Sequence, residues 1–312
     1  MKFIPTFLIF ILAGFSFGQT LPQTADLETI LKNAEKQTQN YREAFKNLLS
    51  EETKTFETFD KNGSLKKRSV VESNFMIFQS LKDESVSSEY RGVVKVDGKA
   101  VGDFEKRSSD LFEQLAKAKS VRQELEKIQK ENSRYDKNLA INGLTLFQAP
   151  VLAEKLRAYF EFKLSAQETG VYVLEYRQTK PSPYILLEEK ADDDQKISLK
   201  YDLDLPKSVN RSSLLLRGKL WIDAQTFQIR REERELTANI KNGSNALIFF
   251  REEYEYQPSD FEILVPKKIV YTFFKVKSGD DGASVSTNQE IKATFEYGKF
   301  RKSRVDIKID DN

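Results

Sequence analysis

The chain contains no cysteine and no histidine in 312 residues. Without cysteine there is no disulfide, no thiol nucleophile, and no site for lipid attachment at a mature N-terminal cysteine. Without histidine, triads with an imidazole base and zinc or haem sites with histidine ligands lose their necessary groups. Acid-base and nucleophilic chemistry is left to carboxylates, Lys, Tyr, Ser and Thr. No Gly-rich phosphate loop of the GxxxxGKS or GxxxxGKT type occurs, and no cofactor or metal is expected.

An excess of one charge is missing too, since 50 Lys and Arg face 48 Asp and Glu. Phosphate binding needs a concentrated basic face, so neither nucleic acid nor an anionic membrane is expected as the main partner. The basic stretch Lys299, Arg301, Lys302, Arg304 surrounds Phe300, and Val305, Ile307 and Ile309 then alternate with polar residues. That alternation reads as the lead into a last strand.

The long hydrophobic run is at the start. Residues 1–18 read MKFIPTFLIFILAGFSFG, with one positive charge at Lys2, an apolar stretch from Phe3 to Phe17, and small residues at Ser16 and Gly18. This is the pattern of a cleavable secretory signal with cleavage before Gln19. The run is shorter than the ~20 residues of a spanning helix and contains Pro5. The expectation is a periplasmic or secreted protein with no transmembrane segment after cleavage. About 290 residues then remain, enough for a substantial core without disulfides.

Helical spacing runs from Asp26 to Ser50, with Thr24 as N-cap and Leu27, Ile30, Leu31, Ala34, Tyr41, Phe45, Leu48 and Leu49 on the apolar stripe. The period then changes to two over residues 53–59. The turn at Asp60-Lys61-Asn62-Gly63 leads back into residues 66–79, as in a β-hairpin. A third strand is expected over Tyr90–Val96, closing at Asp97-Gly98. One charged helix is expected from Ser109 to Asn132, and a short one from Pro150 to Ala158.

Strand patterns follow at 159–164, 171–177, 184–189, 197–203, 213–222, 227–236, 246–256, 266–276, 290–297 and 304–309, separated by turn formers. Consecutive strands without intervening helices imply an antiparallel sheet. The expected fold is α+β: a large curved antiparallel sheet, with helices packed on one side. The expected organisation is a signal over 1–18, a helix-rich part with a β-hairpin over 19–158 packed on the sheet, and an antiparallel β part over 159–312. The two mature parts form one integrated domain.

Three groups of residues are candidates for chemistry. Asp192, Asp193, Asp194 and the pair Asp280, Asp281 could offer oxygen ligands to calcium, but they lack EF-hand spacing and read as solvated turns. Glu232, Glu233, Glu235, Glu252, Glu253 and Glu255 could supply the carboxylate pair of a hydrolase. They share their strands with Arg230, Arg231, Arg234 and Arg251, which reads as a polar outer sheet face. Finally, Phe227 and Ile229, Leu247 and Phe249, and Tyr271 and Phe273 each occupy alternate positions of one strand. They read either as core or as the lining of an apolar ligand groove.

The run Leu216-Arg217-Gly218-Lys219-Leu220-Trp221-Ile222-Asp223-Ala224-Gln225-Thr226-Phe227-Gln228-Ile229 resembles a hairpin of the LolA/LolB-like superfamily of exported lipoprotein carriers and sensors. Phe261 to Ile269 and the strand-turn-strand rhythm from Tyr159 onward resemble those proteins as well. The resemblance covers roughly residues 159–310 and implies a half-barrel whose concave apolar surface holds acyl chains in some members. The leading expectation is therefore an exported, non-enzymatic binding protein for an apolar ligand, a lipid or lipidated partner, lined by Phe227, Ile229, Leu247, Phe249, Tyr271 and Phe273. An envelope structural or protein-interaction module and a carboxylate-based hydrolase are the alternatives.

Overall fold

The computed structural model describes residues 25–135, 145–146, 148–186, 199–200, 209, 213–239, 246–278 and 285–302. The expected signal, both aspartate runs and the strand at 304–309 lie outside the described residues.

Helix α1 spans Leu27–Phe45. Its N-cap is Asp26, whose carboxylate accepts the Thr29 N–H at 2.8 Å, in place of the expected Thr24. The helix stops five residues short of the expected end. From Leu48 onward every second residue is buried, so the same leucines that extend a helical stripe also open a strand.

Strand β1 (Leu48–Phe59) turns through Asp60 and Gly63 into β2 (Leu65–Gln79), followed by β3 (Ser87–Val96) and the two-residue β4 (Lys99–Ala100). Asp97 and Gly98 both have positive φ, 49° and 76°, as a tight hairpin with a two-residue loop requires. The charged helix expected over 109–132 is two helices, α2 (Phe104–Ala116) and α3 (Val121–Asn132), with Ser120 capping the second. A 3-10 turn η1 (Pro150–Leu152) and α4 (Glu154–Arg157) precede β5 (Phe160–Glu168) and β6 (Val171–Gln178).

The short strands β7 (Ile185–Leu186) and β8 (Leu199–Lys200) form a separate parallel pair. The chain then continues through β9 (Leu214–Asp223), β10 (Ile229–Asn239), β11 (Ala246–Gln257), β12 (Val265–Ser278) and β13 (Val285–Lys302). The basic stretch at 299–302 lies within β13, paired to β1, so the strand extends past its expected end.

Eleven strands make one sheet in the order β4-β3-β2-β1-β13-β12-β11-β10-β9-β6-β5, every neighbour antiparallel. The large antiparallel sheet expected from the alternating segments is thus present, as is the α+β half-barrel that the resemblance implies, an open sheet with helices packed on it. The N-terminal segment supplies four strands of this sheet through the β1–β13 pairing.

Register places one continuous row of side chains on the inner face. Leu220, Glu232, Tyr254, Ile269, Phe295, Lys54 and Val71 stand directly opposite one another from β9 to β2. Helix α1 covers this face: Ile30, Leu31 and Ala34 pack with Leu174, Leu220, Ile222 and Ile229. Farther along the same helix, Tyr41 and Phe45 pack with Phe75 and Tyr297. η1 joins α1 there through Val151 and Leu152. Helices α2 and α3 pack on the alternate phase of β2 and β3, where Leu111, Leu115 and Ile128 meet Phe78 and Tyr90.

Candidate functional site

The six aromatic and aliphatic positions separate into two groups. Leu247, Phe249, Tyr271 and Phe273 fall in one cluster with Phe250, Leu236 and Leu216 at the β9–β12 end of the inner face. A bulge at Phe249, where Leu236 pairs with Phe250 and Thr237 with Ile248, turns Leu247, Phe249 and Phe250 all into this cluster. Phe250 packs edge-on to Tyr271 at 3.9 Å between centroids and lies 5.2 Å from Phe273. Sequence alternation missed Phe250, whose ring packs on both of the others, themselves 4.9 Å apart.

Phe227 and Ile229 belong to the cluster under the first half of α1. Phe227 precedes β10, at φ 57°, and stacks on Tyr172 at 6.2 Å.

The hairpin that carries Phe227 is held by Asp223. One carboxylate oxygen accepts the N–H groups of Gln225 and Thr226 at 2.9 and 2.8 Å, and the other accepts from Arg230. Burial raises the Asp223 pKa, but the Thr226 N–H and the Arg230 guanidinium outweigh it and leave the carboxyl below its usual range. The Asp and Thr of the pattern therefore serve the turn.

The charged residues of β10 and β11 do not all lie outside. On the outer face Glu233 pairs with Arg231 and Glu235 with Arg251, as expected, and Glu235 also pairs with Arg217 of β9. Glu232, Arg234 and Glu252 point inward and are almost completely buried. Arg234 donates from Nε and Nη2 to Glu232 Oε1 at 3.1 and 2.7 Å. Its Nη1 lies 2.8 Å from Glu252 Oε2, an ion-pair contact outside hydrogen-bond alignment. The guanidinium also sits 5.6 Å from the Tyr254 ring.

A second buried group occupies the other half of the sheet. Arg91 Nε donates to both oxygens of Glu52 at 2.8 and 3.0 Å, and Nη2 lies 2.9 Å from Glu89 Oε2. Burial opposes the charge of Arg91, but Glu52 and Glu89 outweigh it and raise its pKa further. Glu89 Oε1 accepts the N–H and the hydroxyl of Thr145, both at 2.7 Å, and the Thr145 carbonyl accepts from Tyr41 Oη at 2.7 Å. Lys54, on the same inward row, lies 5.5 Å from the Phe295 ring. Burial is the main cause that lowers its pKa to about 8, with the Arg91 charge adding to it.

Space around these groups is scarce. A cavity of about 10 Å³ adjoins Glu52, Lys54, Ser73, Arg91 and Asn132, room for a single water. A cleft of about 570 Å³ lies between α2 and α3, where Arg107, Asp110, Lys127, Lys130 and Glu131 make its wall charged. No cluster of metal-ligating side chains occurs among the described residues, and no helix among them is long and apolar enough to cross a membrane.

No family model matches the chain, and no curated protein sequence matches it. By structure it is similar to a LolA superfamily protein from Nitrosomonas europaea. Identity there is 10%, coverage is 93% of this chain and 99% of the other, and the TM-score is 0.32. It is also similar to a DUF1329 family protein from Desulfovibrio piger, at 8% identity, 90% and 95% coverage, and a TM-score of 0.30. These are likenesses of fold, and they assign no ligand, partner or activity to the chain.

Proposed function

We propose that the chain is an exported, non-enzymatic protein that holds an apolar ligand, a lipid or the acyl chain of a lipidated partner, at the β9–β12 end of the inner face. The observation that carries this reading is the cover over the Phe250–Tyr271–Phe273 cluster. Among the described residues, Ile185, Leu199 and Val209 pack on the cluster that holds these rings, and Phe273, Val276 and Ile291 there are half-buried. An acyl chain displacing those three residues exchanges one apolar contact for another at little cost. Export rests on the pattern of residues 1–18. The absence of catalysis rests on the missing imidazole and thiol and on the arginines that hold the inward carboxylates.

The test is native mass spectrometry of the protein recovered from its own envelope, with a titration by a fluorescent fatty acid. A co-purifying lipid and saturable uptake are expected; a lipid-free protein that takes up no probe overturns the reading.

A second reading, an envelope protein-interaction module, is favoured by the closure of the inner face, where the cavity beside Arg91 holds no more than one water. Crosslinking in intact cells separates the two. Recovery of a protein partner by lipid-free protein supports the module.

A further inference from the structure

The sheet has two edges, and they end differently. One edge is β4, two residues long; the other is β5, nine residues long and, among the described residues, paired only to β6. Strand edges are ordinarily blunted by brevity, charge or cover, because an open ladder is a template for another strand. β4 is blunted by brevity, whereas β5 carries one lysine, Lys163, in mid-strand.

We propose that a second copy of the chain pairs antiparallel with β5, about a two-fold axis through Phe162. The regular part of β5 fits this centre. Pairing with β6 runs without interruption from Phe160 to Leu164 and shifts register after Leu164. Those five residues are symmetric about Phe162: the axis sets Phe162 opposite its own copy, Phe160 opposite Leu164, and Glu161 opposite Lys163. Phe160, Phe162 and Leu164 are half-buried on one face, while Glu161 and Lys163 are exposed on the other. The match is apolar against apolar and acid against base at every position.

Charge on the outer face extends the same way. One cross-strand row reads Lys163, Glu175, Lys219, Glu233, alternating in sign, with Lys219 Nζ 2.8 Å from Glu175. This row stops at the edge on Lys163. The neighbouring row stops on Glu161, which accepts from Arg177 at 2.6 Å. A partner's Glu161 beside Lys163 continues that alternation, and its Lys163 beside Glu161 again sets base against acid. A one-residue change of centre sets Lys163 against Lys163 or Glu161 against Glu161, so charge selects the register. Five paired residues bury less than the ~1,200 Å² of a stable interface, so the association is weak.

Sedimentation velocity of the purified chain reads the dimer directly, with a dimer fraction rising between about 10 µM and about 1 mM. Glu161→Lys and Lys163→Glu each reverse two symmetric contacts and raise the dissociation constant about tenfold; the double variant, with charges exchanged, returns to within about threefold. The chain has no cysteine, so Phe162→Cys introduces a single thiol on the axis. Opposed Cα atoms about 4.5–5.5 Å apart permit a disulfide there, and Thr169→Cys beyond the bulge serves as the control. A disulfide dimer is expected at 162 and not at 169. A chain still monomeric at 1 mM, a double variant that fails to recover, or equal crosslinking at both positions overturns the proposal.

Discussion

Glu232 Oε2 accepts the N–H of Ala149 at 3.0 Å, which ties the turn before η1 to the middle of the sheet from a residue 83 positions away. Ala149 is held there at φ 41°, a left-handed conformation for a residue with a side chain. The other oxygen of the same carboxylate holds Arg234. Glu232 thus joins the cover to a charge that has no access to water.

Replacing Glu232 by Ala strands a buried guanidinium half-paired and leaves the Ala149 N–H without its acceptor. A loss of about 3–5 kcal/mol in denaturant unfolding is expected. Replacing Glu232, Arg234 and Glu252 together by Leu, Met and Leu removes every charge at once and is expected to cost less than the single change. A triple variant less stable than Glu232→Ala refutes this account of the cluster.

Gly218 lies directly between Tyr176 and Arg234 across β6, β9 and β10. A Cβ at that position meets the Glu233 carbonyl at 2.0 Å and Tyr176 Oη at 2.4 Å. The missing side chain is what lets Tyr176 cross β9 to donate to the Glu233 carbonyl at 3.2 Å. Gly218→Ala is expected to destabilise by about 3 kcal/mol, and Tyr176→Phe is not expected to rescue it, because the carbonyl contact stays. Thermal melts of the single and double variants decide this.

Asp223→Ala removes the acceptor of two turn N–H groups and the partner of Arg230. A cost of about 1–3 kcal/mol is expected. Because the folded-state pKa is lowered, the contribution is complete above the ordinary aspartate range and is lost as pH falls through the folded value. Wild-type and Asp223→Ala stabilities should converge on acidification below about pH 4, measured by urea unfolding across pH.

Lys54 also has a lowered folded-state pKa, in a higher pH window. Its folded pKa, about 8, lies below the ordinary lysine value of 10.5, so between these limits the unfolded chain binds more protons than the folded one. The stability of the wild type relative to Lys54→Met is therefore expected to rise from pH 8 to pH 10. The comparison with Lys54→Met removes the opposing trend of Tyr41, Tyr254, Tyr256 and Tyr297, whose pKa values burial raises. A difference that is flat or falls with pH contradicts the burial of the ammonium.

The sheet was legible because period two survives in most strands; the buried charges were not, because they keep that period while breaking its chemistry. Reading back from Leu236 by twos gives Arg234 and Glu232, and reading on from Phe250 gives Glu252 and Tyr254. That phase places all of them inward. The presence of Glu233, Glu235 and Glu253 in the opposite phase masked it, since a strand charged on both faces resembles one charged only outside. Glu89 and Arg91 were hidden in the same way on β3, between residues that face α2 and α3. The end of α1 was misplaced for a different reason: Leu48 and Leu49 satisfy both periods, and only the pairing of β1 with β13 decides between them.

That pairing bears on when the protein can fold. Lys299 and Glu51, 248 positions apart, meet at the seam between two antiparallel meanders. Neither meander has its central neighbour until β13 has been delivered, and contacts of such separation make folding slow. Until then β1 presents an open ladder in the middle of what becomes the sheet.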